Sequence, residues 1–192
     1  EEANEDQDKV MWLADYYSRC DKAALLKTPG ALPPEGFYTS EESIFQALTP
    51  LGDGGIAPVK LLSSKWIKER AAKLKAATTD DERRKLRLPR RQDLERDEPE
   101  AFMSVERLKE LPRKHGLSVE RLHAAASSYC WLTPAHPDPL GEQLVSLAEA
   151  IEKAETEGGR KFPSEAAIFI DFGSLCQKNP DLWVPCCGGP TY

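Results

Sequence analysis

Two short stretches carry the side chains that could do chemistry together. His136 stands in Pro134-Ala135-His136-Pro137-Asp138-Pro139, shortly after Cys130 and Trp131, and Asp171 and Ser174 stand in Asp171-Phe172-Gly173-Ser174. An imidazole near a carboxylate forms an acid/base pair, and Cys130 or Ser174 would supply a nucleophile within reach of it. Trp131, His136, Asp138, Asp171 and Ser174 therefore form the candidate pocket. Each also has a plainer use. A histidine among prolines anchors its loop through hydrogen bonds, and an aspartate after a strand caps the following turn. No residue is assigned a catalytic role, because a base needs a geometry that spacing does not supply.

Both stretches follow segments that read as strands. Ala124-Ala125-Ala126-Ser127-Ser128-Tyr129-Cys130-Trp131 is a run of small and apolar residues, and residues 166–172 form a second run bounded by Pro163 and Gly173. Both suit buried strands. Between them, Leu144, Leu147, Ala148 and Ile151 form one stripe with Glu142, Glu149, Glu152 and Lys153 outside it, which predicts a helix from Gly141 to about Glu155, stopped by Gly158-Gly159. Strand, helix and strand predict a βαβ unit with two parallel strands and a right-handed crossover. Open sheets of this kind bind ligands beyond the carboxyl ends of their strands, where the candidate pocket lies.

Upstream the chain reads as helices and linkers. Val10, Leu13, Tyr17, Cys20 and Leu25 recur at helical intervals over residues 6–27, and Pro29, Gly30, Pro33, Pro34 and Gly36 follow as an extended linker. Thr39 with Glu42 is a capping box for a short helix through Ile44, Phe45 and Leu48, ended by Pro50 and the glycines of residues 52–55. Those glycines lack the Lys-Ser/Thr pair and the preceding strand of a phosphate loop. A helix from Ser63 or Ser64 to Ala77 puts Trp66, Ile67, Arg70, Ala71 and Leu74 on one face, with Trp66 as a core anchor. Thr78 or Thr79 caps the next helix, with Asp80-Asp81-Glu82 at its start and Arg83-Arg84-Lys85 toward its end. Acidic and basic residues nearly cancel over residues 80–100, which predicts a solvated face with internal ion pairs. Residues 104–111 form one more helix, broken by Pro112 and Gly116. The fold class is thus α/β: a helical N-terminal extension over residues 1–60, then helices and a small Rossmann-like βαβ module within residues 61–192.

Composition narrows the function. The 192 residues, 40% hydrophobic and 30% charged, are enough for one compact domain with an extension. A net charge of -6 argues against a phosphate-neutralising surface, so no nucleic-acid partner is expected. No stretch reaches the roughly eighteen apolar residues of a membrane span. The acidic start without Met is compatible with a processed chain, so an intracellular or organellar site after loss of a targeting peptide is the expectation. Cys20, Cys130, Cys176, Cys186 and Cys187 are an odd, scattered set without zinc-site spacing, which predicts reduced thiols, no metal and no cofactor.

Residues 128–144, Ser-Tyr-Cys-Trp-Leu-Thr-Pro-Ala-His-Pro-Asp-Pro-Leu-Gly-Glu-Gln-Leu, and residues 168–178, Ile-Phe-Ile-Asp-Phe-Gly-Ser-Leu-Cys-Gln-Lys, resemble the paired motifs SYCWLTPxHPDPxGEQL and IFxDxxSLxQ of a large uncharacterised family of algal and protist proteins. Pro89-Arg90-Arg91-Gln92-Asp93-Leu94 and Glu98-Pro99-Glu100-Ala101-Phe102-Met103 extend that resemblance over about residues 60–180. More distantly, the strand pair and its loop resemble the opening half of a Toll/interleukin-receptor (TIR) domain. That second resemblance implies a nucleotide or NAD hydrolase, yet the TIR glutamate that cleaves NAD follows a third strand, and no residue here matches it.

The expected function is a non-catalytic interaction or structural subunit of a larger assembly. Its partners are other protein subunits, and it has no transmembrane segment of its own; a peripheral place in an organellar membrane complex fits equally. Trp12, Tyr16, Trp66 and Trp183 are the aromatic interface candidates, Trp183 within Leu182-Trp183-Val184-Pro185. Two parallel strands alone leave unpaired edges, which favours association. The alternative is a TIR-like hydrolase that is incomplete in this chain, with His136 and Asp171 near its site.

Overall fold

The computed structural model describes residues 41–50, 56–115, 124–128, 130–133, 135–157 and 165–175. The chain divides into two compact units, residues 1–59 with 176–192, and residues 60–175. In the first unit, helix α1 spans Glu41–Leu48. Thr49 closes it, its Oγ1 donating to Phe45 O at 2.7 Å, and Val59 N–H donates to Ala47 O at 2.9 Å. The helix expected over residues 6–27, the proline linker, Thr39 and the glycines of residues 52–55 lie outside the described residues, as do Trp12, Tyr16 and Trp183.

The second unit is mixed α/β. In chain order it contains β1 (Leu61–Ser63), α2 (Ser64–Ala76), α3 (Asp80–Leu86), α4 (Arg91–Asp97), a 3-10 turn (Pro99–Ala101), β2 (Phe102–Met103), α5 (Val105–His115), β3 (Ala124–Ser127), α6 (Glu142–Glu157), β4 (Ala167–Ile170) and α7 (Asp171–Ser174). The strands form one sheet in the order β2-β1-β4-β3. β3 and β4 are parallel from Ala124↔Ala167 to Ser127↔Ile170, whereas β1 pairs antiparallel with both β4 and β2. The expected pair of parallel strands is therefore half of a mixed four-stranded sheet. The far edge of β4, which the two-strand reading left open, is paired by β1. β1 and β2 have three and two residues, too few to show a period of two in sequence; β1 forms on the main-chain donors and acceptors of β4, and β2 on those of β1.

Burial separates the two parallel strands. β4 is almost wholly buried, as expected, but β3 alternates exposed and half-buried residues and ends at Ser127. The expectation of a buried strand running to Trp131 is corrected on both counts. β3 is an edge strand among the described residues, and small alanines occur there because little packs against them.

The helical stripes lay down the core. Trp66, Ile67, Arg70, Ala71 and Leu74 of α2 are buried, and α2 packs along α6 through Leu144, Ala148 and Ile151. Leu62, Leu88, Leu94, Ile168, Ile170 and Phe172 complete the cluster. Ser64 sews helix to sheet, its N–H donating to Ala166 O at 2.9 Å and its Oγ accepting Ala166 N–H at 2.9 Å. Trp66 is a core residue, 7% exposed, and its Nε1 donates to Glu98 at 3.0 Å. Burial by itself would raise the Glu98 pKa; hydrogen bonds from Arg70 and Trp66, with the charges of Arg70 and Lys73, outweigh it and hold the carboxyl below its usual 4.5.

The charged stretch is of two kinds. α3 buries nothing, and of the two expected caps, Thr78 and Thr79, it is Thr79 that closes a capping box, its Oγ1 accepting Glu82 N–H at 3.2 Å while the Glu82 carboxylate accepts Thr79 N–H at 3.1 Å. Thr79→Ala is expected to cost about 1 kcal/mol, read as a lower urea midpoint at unchanged m. α4, by contrast, was not legible as a helix, and it buries Arg91, Gln92 and Leu94. The solvated-face reading is corrected there: one side of the charged run is interior. α5 also runs to His115 instead of ending before Pro112. A proline removes one intrahelical bond at a finite cost, and Leu108 and Leu111, both buried, tether the turn in front of it.

Candidate functional site

The loop that follows β3 is built from side-chain bonds to its own main chain. Leu132 N–H donates to Pro137 O at 3.0 Å and Thr133 N–H to His136 O at 3.2 Å. Thr133 Oγ1 donates to His136 O at 2.8 Å and accepts His136 N–H at 3.0 Å. Gln143, reaching back from the first turn of α6, donates Nε2 to Cys130 O and Pro137 O, each at 3.2 Å. Asp138 supplies the helix entry: its Oδ2 accepts Leu144 N–H at 2.9 Å, satisfying one of the free amides of the first turn. Gly141 makes the bend at φ 76°, a left-handed conformation that glycine adopts without a steric cost.

His136 is 4% exposed, and both ring nitrogens are committed. Nδ1 accepts Asp138 N–H at 2.9 Å, so the ring proton sits on Nε2, which donates to Leu88 O at 2.9 Å. The ring also meets Phe172 edge to face, centroids 4.7 Å apart. Burial pushes the His136 pKa below 6.5, and the charge of Arg87 adds to the shift. The neutral tautomer is thereby built into the loop.

The other candidates separate by burial. Ser174 is fully buried, and its Oγ accepts Ile170 N–H at 3.0 Å. Its carbonyl accepts Lys60 N–H at 3.0 Å and Arg91 at 3.3 Å. Asp171 is exposed and opens α7, with Oδ1 accepting Phe172 N–H at 2.7 Å. Asp138 is buried, whereas Trp131 and Leu132 stand 44% and 57% exposed, and Cys130 is an exposed free thiol. Trp131 also meets Phe172 edge to face, centroids 5.6 Å apart. His136, Phe172 and Trp131 thus form one contact series. A cleft of about 250 Å³ beside it is lined by Arg84, Leu132, Asp138, Pro139, Leu140 and Glu142. Of the five candidate-pocket residues, only Asp138 lines this cleft.

Neither a family model, a curated protein nor a solved structure matches the chain. The site therefore rests on its own geometry. Its organising residue, Phe172, and the partner carbonyl of Leu88 were not among the sequence candidates, because apolar rings and main-chain oxygens carry no chemical signature in a sequence. Gln143 had one weak signal, its place in Gly141-Glu142-Gln143-Leu144, where a polar residue follows a helix-opening glycine. Among the described residues no group of three or more His, Cys, Asp or Glu is arranged to hold a metal ion, and no helix is long and apolar enough to cross a membrane.

Proposed function

We propose that the chain is a non-catalytic interaction subunit that docks a partner protein through Trp131 and Leu132 beside β3, the edge strand among the described residues. The observation that carries this reading is the contrast between those two side chains and their neighbours. Large apolar groups at the end of a strand that is an edge among the described residues stand in solvent, while Thr133, His136 and the Gln143 amide nitrogen are engaged in holding the loop that presents them. Aromatic anchors on a rigid loop next to exposed strand main chain make a docking surface of low ordering entropy. On this reading β3, α6 and β4 are a Rossmann-like module, akin to the algal and protist family and to the opening half of a TIR domain, and used for binding. A peripheral place in an organellar membrane complex is one form such an assembly takes.

Native mass tests the reading. The chain purified from its source is expected to travel in a particle well above 21.4 kDa by size-exclusion chromatography with light scattering. Changing Trp131 and Leu132 together to alanine should weaken its retention there tenfold or more, about 1.4 kcal/mol. A wild-type chain that runs free at its own mass overturns the proposal.

A further inference from the structure

We infer that the loop carrying Trp131 and Leu132 is a proton-operated latch, closed when His136 is neutral and released when the imidazole gains a second proton. In the closed loop Nδ1 is an acceptor for Asp138 N–H and Nε2 a donor to Leu88 O, both at 2.9 Å. An imidazolium has two donors and no acceptor, so protonation sets Nδ1–H against Asp138 N–H and one of the two bonds must break. Because the ring is 4% exposed, water cannot replace the lost bond while the loop stays closed.

The surrounding charges act in opposite directions on the cation, and burial outweighs the one that favours it. Arg87, from the segment that supplies Leu88 O, opposes it, and Asp138 favours it. Of the Asp138 carboxylate, Oδ2 is committed to Leu144 N–H, while Oδ1 is buried without a hydrogen-bond partner. On the Phe172 side the acidic group is Asp171, which is exposed and opens α7, its carboxylate Oδ1 accepting Phe172 N–H. The stabilisation His136 gives the closed loop is therefore complete above pH 6.5, its ordinary value, and declines as pH falls from there toward the depressed value of the closed form. Glu98 titrates below 4.5, so its loss lies at lower pH.

Release reaches the exposed pair directly. Leu132 N–H and Thr133 N–H bond to Pro137 O and His136 O, and Trp131 rests on the same Phe172 ring that His136 contacts. The latch stands on these bonds alone; only its consequence for docking rests on the proposed function.

Residue-resolved amide exchange on the full chain, without any partner, reads the latch separately from docking. Corrected for intrinsic rates, protection of the Leu132, Thr133 and Asp138 amides should fall about tenfold per pH unit below pH 6.5, while core amides such as Ile151 and Ile170 hold theirs. His136→Asn keeps an acceptor near Nδ1 without a titrating group, and should flatten that slope. Protection in the wild type that is independent of pH down to about pH 5, or that falls equally in loop and core, overturns the latch even if the variant does not fold.

Discussion

Gly141→Ala is expected to destabilise the chain by about 3 kcal/mol, the sum of a left-handed backbone cost of roughly 1–2 kcal/mol and an overpacking cost of similar size. A Cβ at this position would stand 2.6 Å from both methyls of Leu74, and Leu74 is fully buried in the α2–α6 interface. Neither side can give way easily. Gly141 also follows directly on the loop that Asp138 and Gln143 tie to α6, so displacement here should loosen that loop as well. Chemical denaturation of the purified variant measures the loss. In a double-mutant cycle, Gly141→Ala with Leu74→Ala should fall short of the sum of the single changes, because shortening Leu74 removes the clash but leaves the φ cost. A single variant within about 0.5 kcal/mol of wild type would mean that the close approach is absent in solution.

Glu95→Ala is expected to be the more damaging change, costing about 3–5 kcal/mol, because it takes a carboxylate away from a buried cation. The Arg91 side chain is fully buried and meets Glu95 at 3.2 Å, and Lys60 reaches the same carboxylate at 2.9 Å. Removing Glu95 takes this carboxylate away from the buried Arg91, while Lys60, 37% exposed, can turn to solvent. Asp93→Ala is the matched control. Its partner Arg90 is 29% exposed, and a pair that solvent screens should cost under about 1 kcal/mol. Equal losses from the two variants would show that burial is not what sets the effect. Arg91 also holds the carbonyl of Ser174, so the Glu95 variant should disturb α7 and, through Phe172, the Trp131 environment.

What the sequence by itself determined was local. The stripes of α2 and α6 were legible because a helix buries residues three and four apart, and that period survives in the bare order of Trp66, Ile67, Arg70, Ala71 and Leu74 or Leu144, Ala148 and Ile151. The cap of α3 was legible to within one residue, as Thr78 or Thr79, since both hydrogen bonds of the cap close within three residues. The parallel pairing of β3 with β4 followed from a helix of the right length between two strand-like runs. The tertiary structure alone decided the rest. Strands of two and three residues have no period to read, and β1 and β2 exist because β4 and then β1 offer main-chain partners far along the chain. The same residue types became interior at Arg91 and solvated at Arg84. Likewise the alanines of β3 became an edge, since burial belongs to the neighbours that a segment meets. His136 is the sharpest case. Its loop was readable, but its protonation state is set by a carbonyl 48 residues away, and a contact of that span leaves no mark on local sequence because it arises only when the chain has closed on itself.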